Sequence, residues 1–429
     1  MFSQHNLKNV FILMGPNIIE FNGNTFDDLY MYNNKNDTIL VTSYYFKKVI
    51  KIDKPKKIIG TFILDTLYLA YSNKWIVNYQ HLISDFYPYL YYYKKHHSHL
   101  YIGIPKFIKT KPLMELLEIM EIPKENIIWL KYNIIYHIAN LITYKYGRTL
   151  VTSELEWSIE PLKFLNDKLC SLNTNCKNNN INLGMTVSSN NQLTIANNSI
   201  LYISRDDTTT KDNNNNFAGK TRDILNKSNV YKYLSDNEID IQSMSQYSIK
   251  EKNSLLSTYN TFITLHGANA INLVFAKDIV NLIMLNNKKT VEYNKYFKEL
   301  YEKMHKHPIN LISIVDDMAN KYFNQPYIVN VKELHSKLIT INSSFKYIDE
   351  YDNDTIFNVY DSDETFLKEC LFKKLLQREP NEVEFNVHLA NIKKRGRQSV
   401  FYEFTGCYEY HVVNTSDYMK NVLTTQKRL

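Results

Sequence analysis

Apolar and polar positions alternate in short runs along the first third of the chain. Residues 10–13, 38–42 and 57–63 have the compact apolar character of strands bounded by turns. Residues 73–94 predict a helix whose second half is aromatic, and 100–104 a strand. Within 111–120, Leu113, Leu116, Leu117 and Met120 recur at helical spacing, and Pro123 stops that helix ahead of a strand at 126–130. A second series follows: a buried-type strand at 200–204 (Ile-Leu-Tyr-Ile-Ser), a helix at 223–234 and a strand at 261–265. The last of these runs through a small-residue turn into a helix at 268–275, with a further strand at 280–285. Strands alternating with helices over short links predict α/β units with parallel sheets.

Punctuation between these series predicts the domain plan. Asn-rich stretches at 173–182 and 212–216 are polar, with one charged residue each, and loop-like, and the first separates the two α/β units. Residues 1–180 and 181–345 are therefore expected as two domains. Residues 346–364 are acidic and read as a linker. Beyond them, 366–376, 382–392 and 399–404 have three short helical patterns, expected as a small all-α module over 365–429.

Composition narrows the class. The chain has 429 residues, 44% hydrophobic and 22% charged, so it can bury full cores and is not disordered as a whole. Only 10 Gly and 10 Pro exclude collagen-like and linker-rich chains. Abundant Asn, Lys, Ile and Tyr read as the bias of an AT-rich genome, as in a virus or protist, which weakens inference from composition. The net charge of +7 is spread along the chain, and the densest basic run is Lys393-Lys394-Arg395-Gly396-Arg397. A nucleic-acid binder concentrates its charge in a stripe, so no nucleic-acid partner is expected. Four cysteines form neither a C-x-x-C pair nor a zinc spacing. With no signal-peptide pattern and no long apolar run, a cytoplasmic location without a membrane span is the expectation.

Three segments carry candidate chemistry. In Thr264-Leu265-His266-Gly267-Ala268 a strand ends where a helix begins, and small residues let a ligand approach backbone N–H groups at a positive helix end. An ordinary βα turn with a satisfied histidine fits the same spacing. Asn78, His81 and Asp85 fall on one helix face, where a carboxylate one turn beyond a histidine can orient the ring as a general base. A polar stripe within the core is the other reading. Arg205 after Ser204 and Arg222 ahead of a helix can clamp a diphosphate, or form surface ion pairs. The Asp361-Ser362-Asp363 triplet, the His96-His97-His99 group and the pair His305 and His307 lack the further ligands a metal site needs.

Together these segments resemble glycosyltransferase family 61, which includes O-linked GlcNAc and xylosyl transferases. The resemblance runs over residues 75–285: Asn78, His81, Asp85 and Pro88 in the first helix, then Ser204-Arg205, Arg222 with Asn226, and His266-Gly267-Ala268 with Asn272 and Phe275. Two positions depart from the pattern: Lys227 stands where an acidic residue is expected and Lys252 where a Gln is expected. The resemblance implies a GT-B fold, two Rossmann-like domains facing a cleft, and inverting transfer from a nucleotide-sugar, specifically a UDP-sugar, to a hydroxyl of a glycan or protein acceptor. It assigns His81, Asp85 and Asn78 to catalysis. Arg205, Arg222, Asn226, His266, Gly267, Ala268 and Asn272 go to the donor, with no metal or other cofactor required. The tail, marked by Leu376-Gln377-Arg378-Glu379-Pro380-Asn381, resembles a small helical domain of unknown function, which implies an accessory or docking role. Lys227 and Lys252 leave open a protein of this fold that binds nucleotide or sugar without turnover.

Overall fold

A computed structural model describes residues 3–14, 20–21, 24–25, 29–33, 39–41, 60–70, 79–131, 134–145, 153–175, 200–204, 224–321, 325–352, 357, 360–407 and 410. The chain folds into two compact units, the first of residues 1–186 with 247–255 and 271–275, the second of 187–246, 256–270 and 276–429.

Unit 1 contains strands β1 (Ser3–Met14), β2 (Glu20–Phe21), β3 (Asn24–Thr25), β4 (Leu29–Asn33), β5 (Ile39–Val41), β6 (Gly60–Leu69), β7 (Tyr101–Pro105), β8 (Ile127–Leu130) and β9 (Ile134–Lys145). Seven of them form a sheet in the order β5-β4-β1-β9-β6-β7-β8, and β2 and β3 form a separate ribbon. The half from β9 to β8 is parallel; β1 runs antiparallel to both β9 and β4. The expected parallel sheet is thus parallel over part of its width only. Helix α1 (79–97) follows β6 and α2 (Lys111–Ile119) follows β7. The long α3 (Ser153–Asn175) packs along α1. The apolar spacing read in α2 is the buried face: Leu113, Leu116 and Leu117 are 3% exposed or less.

Unit 2 is built on β10 (Ile200–Ser204), β11 (Asp240–Ser243), β12 (Thr261–Leu265), β13 (Asn281–Asn287) and β14 (Asn310–Asp316), all parallel, in the order β11-β10-β12-β13-β14. The connections carry α4 (Lys227–Asp236), α5 (Ile249–Leu256), α6 (Ala268–Ile271) with a 3₁₀ turn at Asn272–Phe275, and α7 (Asn294–His305). The part of α5 up to Leu255, together with 271–275, belongs to unit 1. A parallel sheet has no face that can meet water, and every residue of β10 and β12 is buried.

One face shows how that burial is achieved. Ile200 and Tyr202, Ile263 and Leu265, Ile283 and Leu285, and Ile314 share it, at the two-residue period of strands. Val230, Tyr233 and Leu234 of α4 and Val331, Leu334 and Leu338 of α8 (Val331–Leu338) pack on it. So do the tail helices α9 (363–376), α10 (Glu382–Arg395) and α11 (Arg397–Thr405), through Phe366, Leu371, Leu375, Phe401 and Phe404 among others. Tyr351 and Phe357, expected in a solvated linker, are buried in this same core. The side chain of Gln325 seals the junction, donating to the Tyr402 carbonyl at 3.1 Å and the Thr405 hydroxyl at 3.2 Å. The tail therefore differs from a module with a core of its own: its aromatic residues complete the cover of the parallel sheet.

Deleting residues 365–429 is expected to expose this face, giving an insoluble chain or a large drop in thermal midpoint; unchanged melting would show an independent module. In the intact chain, Leu371→Ala should cost about 2–5 kcal/mol. Val383→Ser on α10, where the side chain is 74% exposed, should stay within about 0.5 kcal/mol by the same denaturant titration.

Candidate active site

In unit 1 the candidate chemistry sits on a distortion in α1. Over Leu82–Phe86 the helix widens into a π turn, in which the Tyr87 N–H bonds back five residues to the Leu82 carbonyl. Pro88 accounts for the break, because it has no N–H to give the Ser84 carbonyl four residues earlier. The hydroxyl of Ser158, from α3, donates to that carbonyl at 2.7 Å. Proline, widened turn and serine together fix the backbone of Ser84 and Asp85 inside the protein, where both are 3% exposed.

On this turn, His81 Nδ1 lies 2.7 Å from Asp85 Oδ2, with side-chain exposures of 19% and 4%. The Ser84 hydroxyl has one proton and two acceptors in reach: Asp85 Oδ1 at 2.6 Å and the Gln80 carbonyl at 2.9 Å. The carboxylate is the closer and stronger acceptor. Asp85 is thus held on both oxygens and fixes the tautomer in which His81 has its proton on Nδ1, so a proton taken up by the ring arrives at Nε2. The sequence placed His81 and Asp85 on one face, and the structure brings them into contact. Asn78 lies outside the described residues.

Beside this turn, Lys252 of α5 is 5% exposed with its ammonium 4.0 Å from the centre of the Tyr79 ring, a cation–π contact inside unit 1. Burial, with the charge of Glu115 second, raises the Tyr79 hydroxyl well above its ordinary pKa, so it stays neutral. Asn253 anchors the same helix, donating to the Phe275 carbonyl at 3.0 Å and to Asn166 Oδ1 at 2.9 Å. Asn272 is buried in the 3₁₀ turn of this unit.

In unit 2 the strand order fixes where a ligand can enter. From β10 the chain passes outward to β11, then returns across β10 to β12 and proceeds the other way. The carboxyl ends of the strands at such a switch point are the usual ligand position in open α/β sheets. Ser204 ends β10, and His266-Gly267 follows β12. Gly267 has φ 109°, a conformation that side chains with a Cβ rarely adopt, which accounts for glycine there. His266 is 6% exposed, its ring centre 5.4 Å from that of Phe297 and 5.6 Å from that of Tyr293.

Asn269 ties the β12 turn to the end of β10, donating to the Ser204 carbonyl at 2.9 Å. The sequence reading passed over it, though a polar residue two positions past Gly267 on so short a helix was its signal. Asn226, expected at the donor, braces the fold: its Nδ2 donates to the Val329 carbonyl at 2.7 Å and its Oδ1 accepts from the Val329 N–H at 2.9 Å, holding the chain after Ile224 against residues 327–329. Arg205 and Arg222 lie outside the described residues. Lys227 is half-buried over the Tyr231 ring at 5.3 Å, and burial lowers its pKa. Among the described residues no cluster of three His, Cys, Asp or Glu could hold a metal ion, and no helix is long and apolar enough to cross a membrane.

No curated protein matches the chain. Residues 79–283 match the family model described as Glycosyltransferase 61. The matched stretch begins at Tyr79, takes in the His81–Asp85 turn, and runs through β10, the Asn226 clamp and the β12 turn into β13. That stretch, which holds the His81–Asp85 turn and the β12 turn, is similar to glycosyltransferase family 61.

Proposed function

We propose that the protein transfers a sugar from a nucleotide-sugar, a UDP-sugar, to a hydroxyl of a glycan or protein acceptor with inversion at the anomeric carbon. Its two units take the roles of the two domains of a GT-B enzyme. The observation that carries the reading is the His81–Asp85 contact on a proline-broken helix turn, within a stretch that matches a family of sugar transferases.

Inversion by direct displacement needs a base that removes the acceptor proton as the new bond forms, and positive groups that hold the departing diphosphate. His81 is the base. Its Nε2 takes the proton of the attacking hydroxyl, and Asp85 stabilises the imidazolium that results. The acceptor oxygen bonds to the anomeric carbon from one face as the diphosphate leaves from the other. On unit 2 the diphosphate lies at the switch point between β10 and β12. Arg205 and Arg222 supply charge, His266 a ring donor, and the chain at Gly267-Ala268 N–H groups without an obstructing side chain. Two guanidinium groups and a helix start supply the positive field without a metal. Asn226 is left to hold the fold. Asn78, one residue before Tyr79, orients the acceptor.

The rival reading is nucleotide or sugar binding without turnover. The packing of Lys227 on Tyr231 and of Lys252 on Tyr79, at the two positions that depart from the family pattern, favours it.

A nucleoside diphosphate should raise the thermal midpoint with saturable dose dependence, by about 2.7 kcal/mol at a hundred times its dissociation constant. Arg205→Ala or Arg222→Ala should each weaken that binding by about 1.5–3 kcal/mol. No stabilisation by any nucleoside diphosphate would end both readings.

His81→Ala should leave nucleotide affinity nearly unchanged and lower turnover about 100- to 10,000-fold, with Asp85→Asn between it and the parent. Rates and affinities measured on the same preparations separate the possibilities. Near-full turnover in His81→Ala places the base elsewhere, and a parent protein that binds but transfers nothing supports the rival.

A further inference from the structure

Between α1 and α3 of unit 1 lies an open groove of about 500 Å³ that the proposed chemistry does not use, lined by Tyr91, Ile159, Glu160, Lys163, Phe164 and Asp167. Its size falls in the range of small-ligand clefts, ~300–1,000 Å³. Phe164 is 39% exposed, unusual for a ring on an otherwise well-packed helix, and Tyr91 braces it at 5.2 Å between ring centres and 58° between planes.

The polar wall is also fixed. Glu160 Oε1 accepts from the Tyr91 hydroxyl at 2.7 Å and from the Lys95 ammonium at 2.6 Å. The Lys95 bond, then that of Tyr91, holds the Glu160 carboxyl below its ordinary range, so it stays ionised. Because Oε1 takes both bonds, Oε2 is the atom a ligand hydroxyl would reach. Lys95 and Lys163 balance Glu160 and Asp167, so the groove offers acceptors and donors without net charge.

We propose that this groove binds one neutral pyranose unit of an acceptor glycan. An exposed, braced ring offers its face to the C–H side of a sugar, and the flanking carboxylates accept from its hydroxyls. Absence of net charge selects a neutral sugar over a phosphorylated or sulfated one. Tyr91 lies ten residues beyond His81 on α1, about 15 Å at ~1.5 Å per residue. The unit held here is therefore remote from the reacting hydroxyl and contributes to affinity for an extended acceptor. The assignment to an acceptor rests on the transferase reading; sugar binding itself does not.

The test is saturation-transfer NMR on the full chain with three neutral tetrasaccharides, chitotetraose, xylotetraose and cellotetraose, beside a sulfated heparin tetrasaccharide. A neutral sugar should receive saturation at the ring C–H protons of one unit. Phe164→Ala should weaken binding by about tenfold or more, and Phe164→Tyr, which keeps the ring, should retain it. Thermal midpoints of both variants should match the parent. Three results overturn the proposal: no transfer to any neutral sugar, transfer indifferent to Phe164→Ala, or preference for the sulfated sugar. Thermal shift by UDP on the same samples separates the two claims. A UDP shift without saccharide binding removes the groove alone, and Phe164-dependent saccharide binding without a UDP shift removes the transferase reading alone.

Discussion

An all-parallel sheet cannot leave a face or an end to chance, and much of unit 2 follows from that. Its inner strands β10 and β12 are buried on both sides, so both faces need cover. One face takes α4 and α8 and still needs the aromatic residues of α9 and α11 to complete its cover. The same topology forces the connections to part beside β10, since β11 lies on one side of it and β12 on the other. At that switch point stand a glycine with φ 109° and an asparagine that ties the β12 turn to the end of β10.

Unit 1 meets a different demand, holding a charged carboxylate inside a helix. A buried Asp is costly unless its oxygens are occupied. The π turn before Pro88 presents Asp85 to both His81 and Ser84, and Ser158 compensates the carbonyl that the proline leaves without its N–H partner. The cost of breaking the helix is offset by hydrogen bonds that also set the histidine tautomer. Orientation of the histidine and repair of the helix are here the same set of contacts.

Much of this was legible in the residues. The strands at 200–204 and 261–265 were placed to the residue because they are short, wholly buried and bounded by abrupt polarity changes. His81 and Asp85 were legible through helical spacing; the π turn was not, since Pro88 says only that a hydrogen bond is missing, and where the helix widens depends on Ser158 far along the chain. β9 escaped notice because its burial changes phase, with Tyr136, Ile138 and Leu141 inside, so it has no clean two-residue alternation. The tail misled for a related reason. Three helices with apolar faces look the same whether those faces meet one another or a distant sheet, and the acidic residues around Tyr351 and Phe357 masked two core aromatics. The pairing of Asn226 with the backbone of Val329, 103 residues away, is one that no local pattern reveals.

The nucleotide is proposed to bind beside the carboxyl ends of β10 and β12. Hydrogen exchange with and without UDP, read by mass spectrometry, tests it most directly. The account requires new protection in peptides covering the end of β10 through Arg205 and the turn from Thr264 to Asn272. Protection confined to other peptides, or no change at saturating UDP, would contradict it.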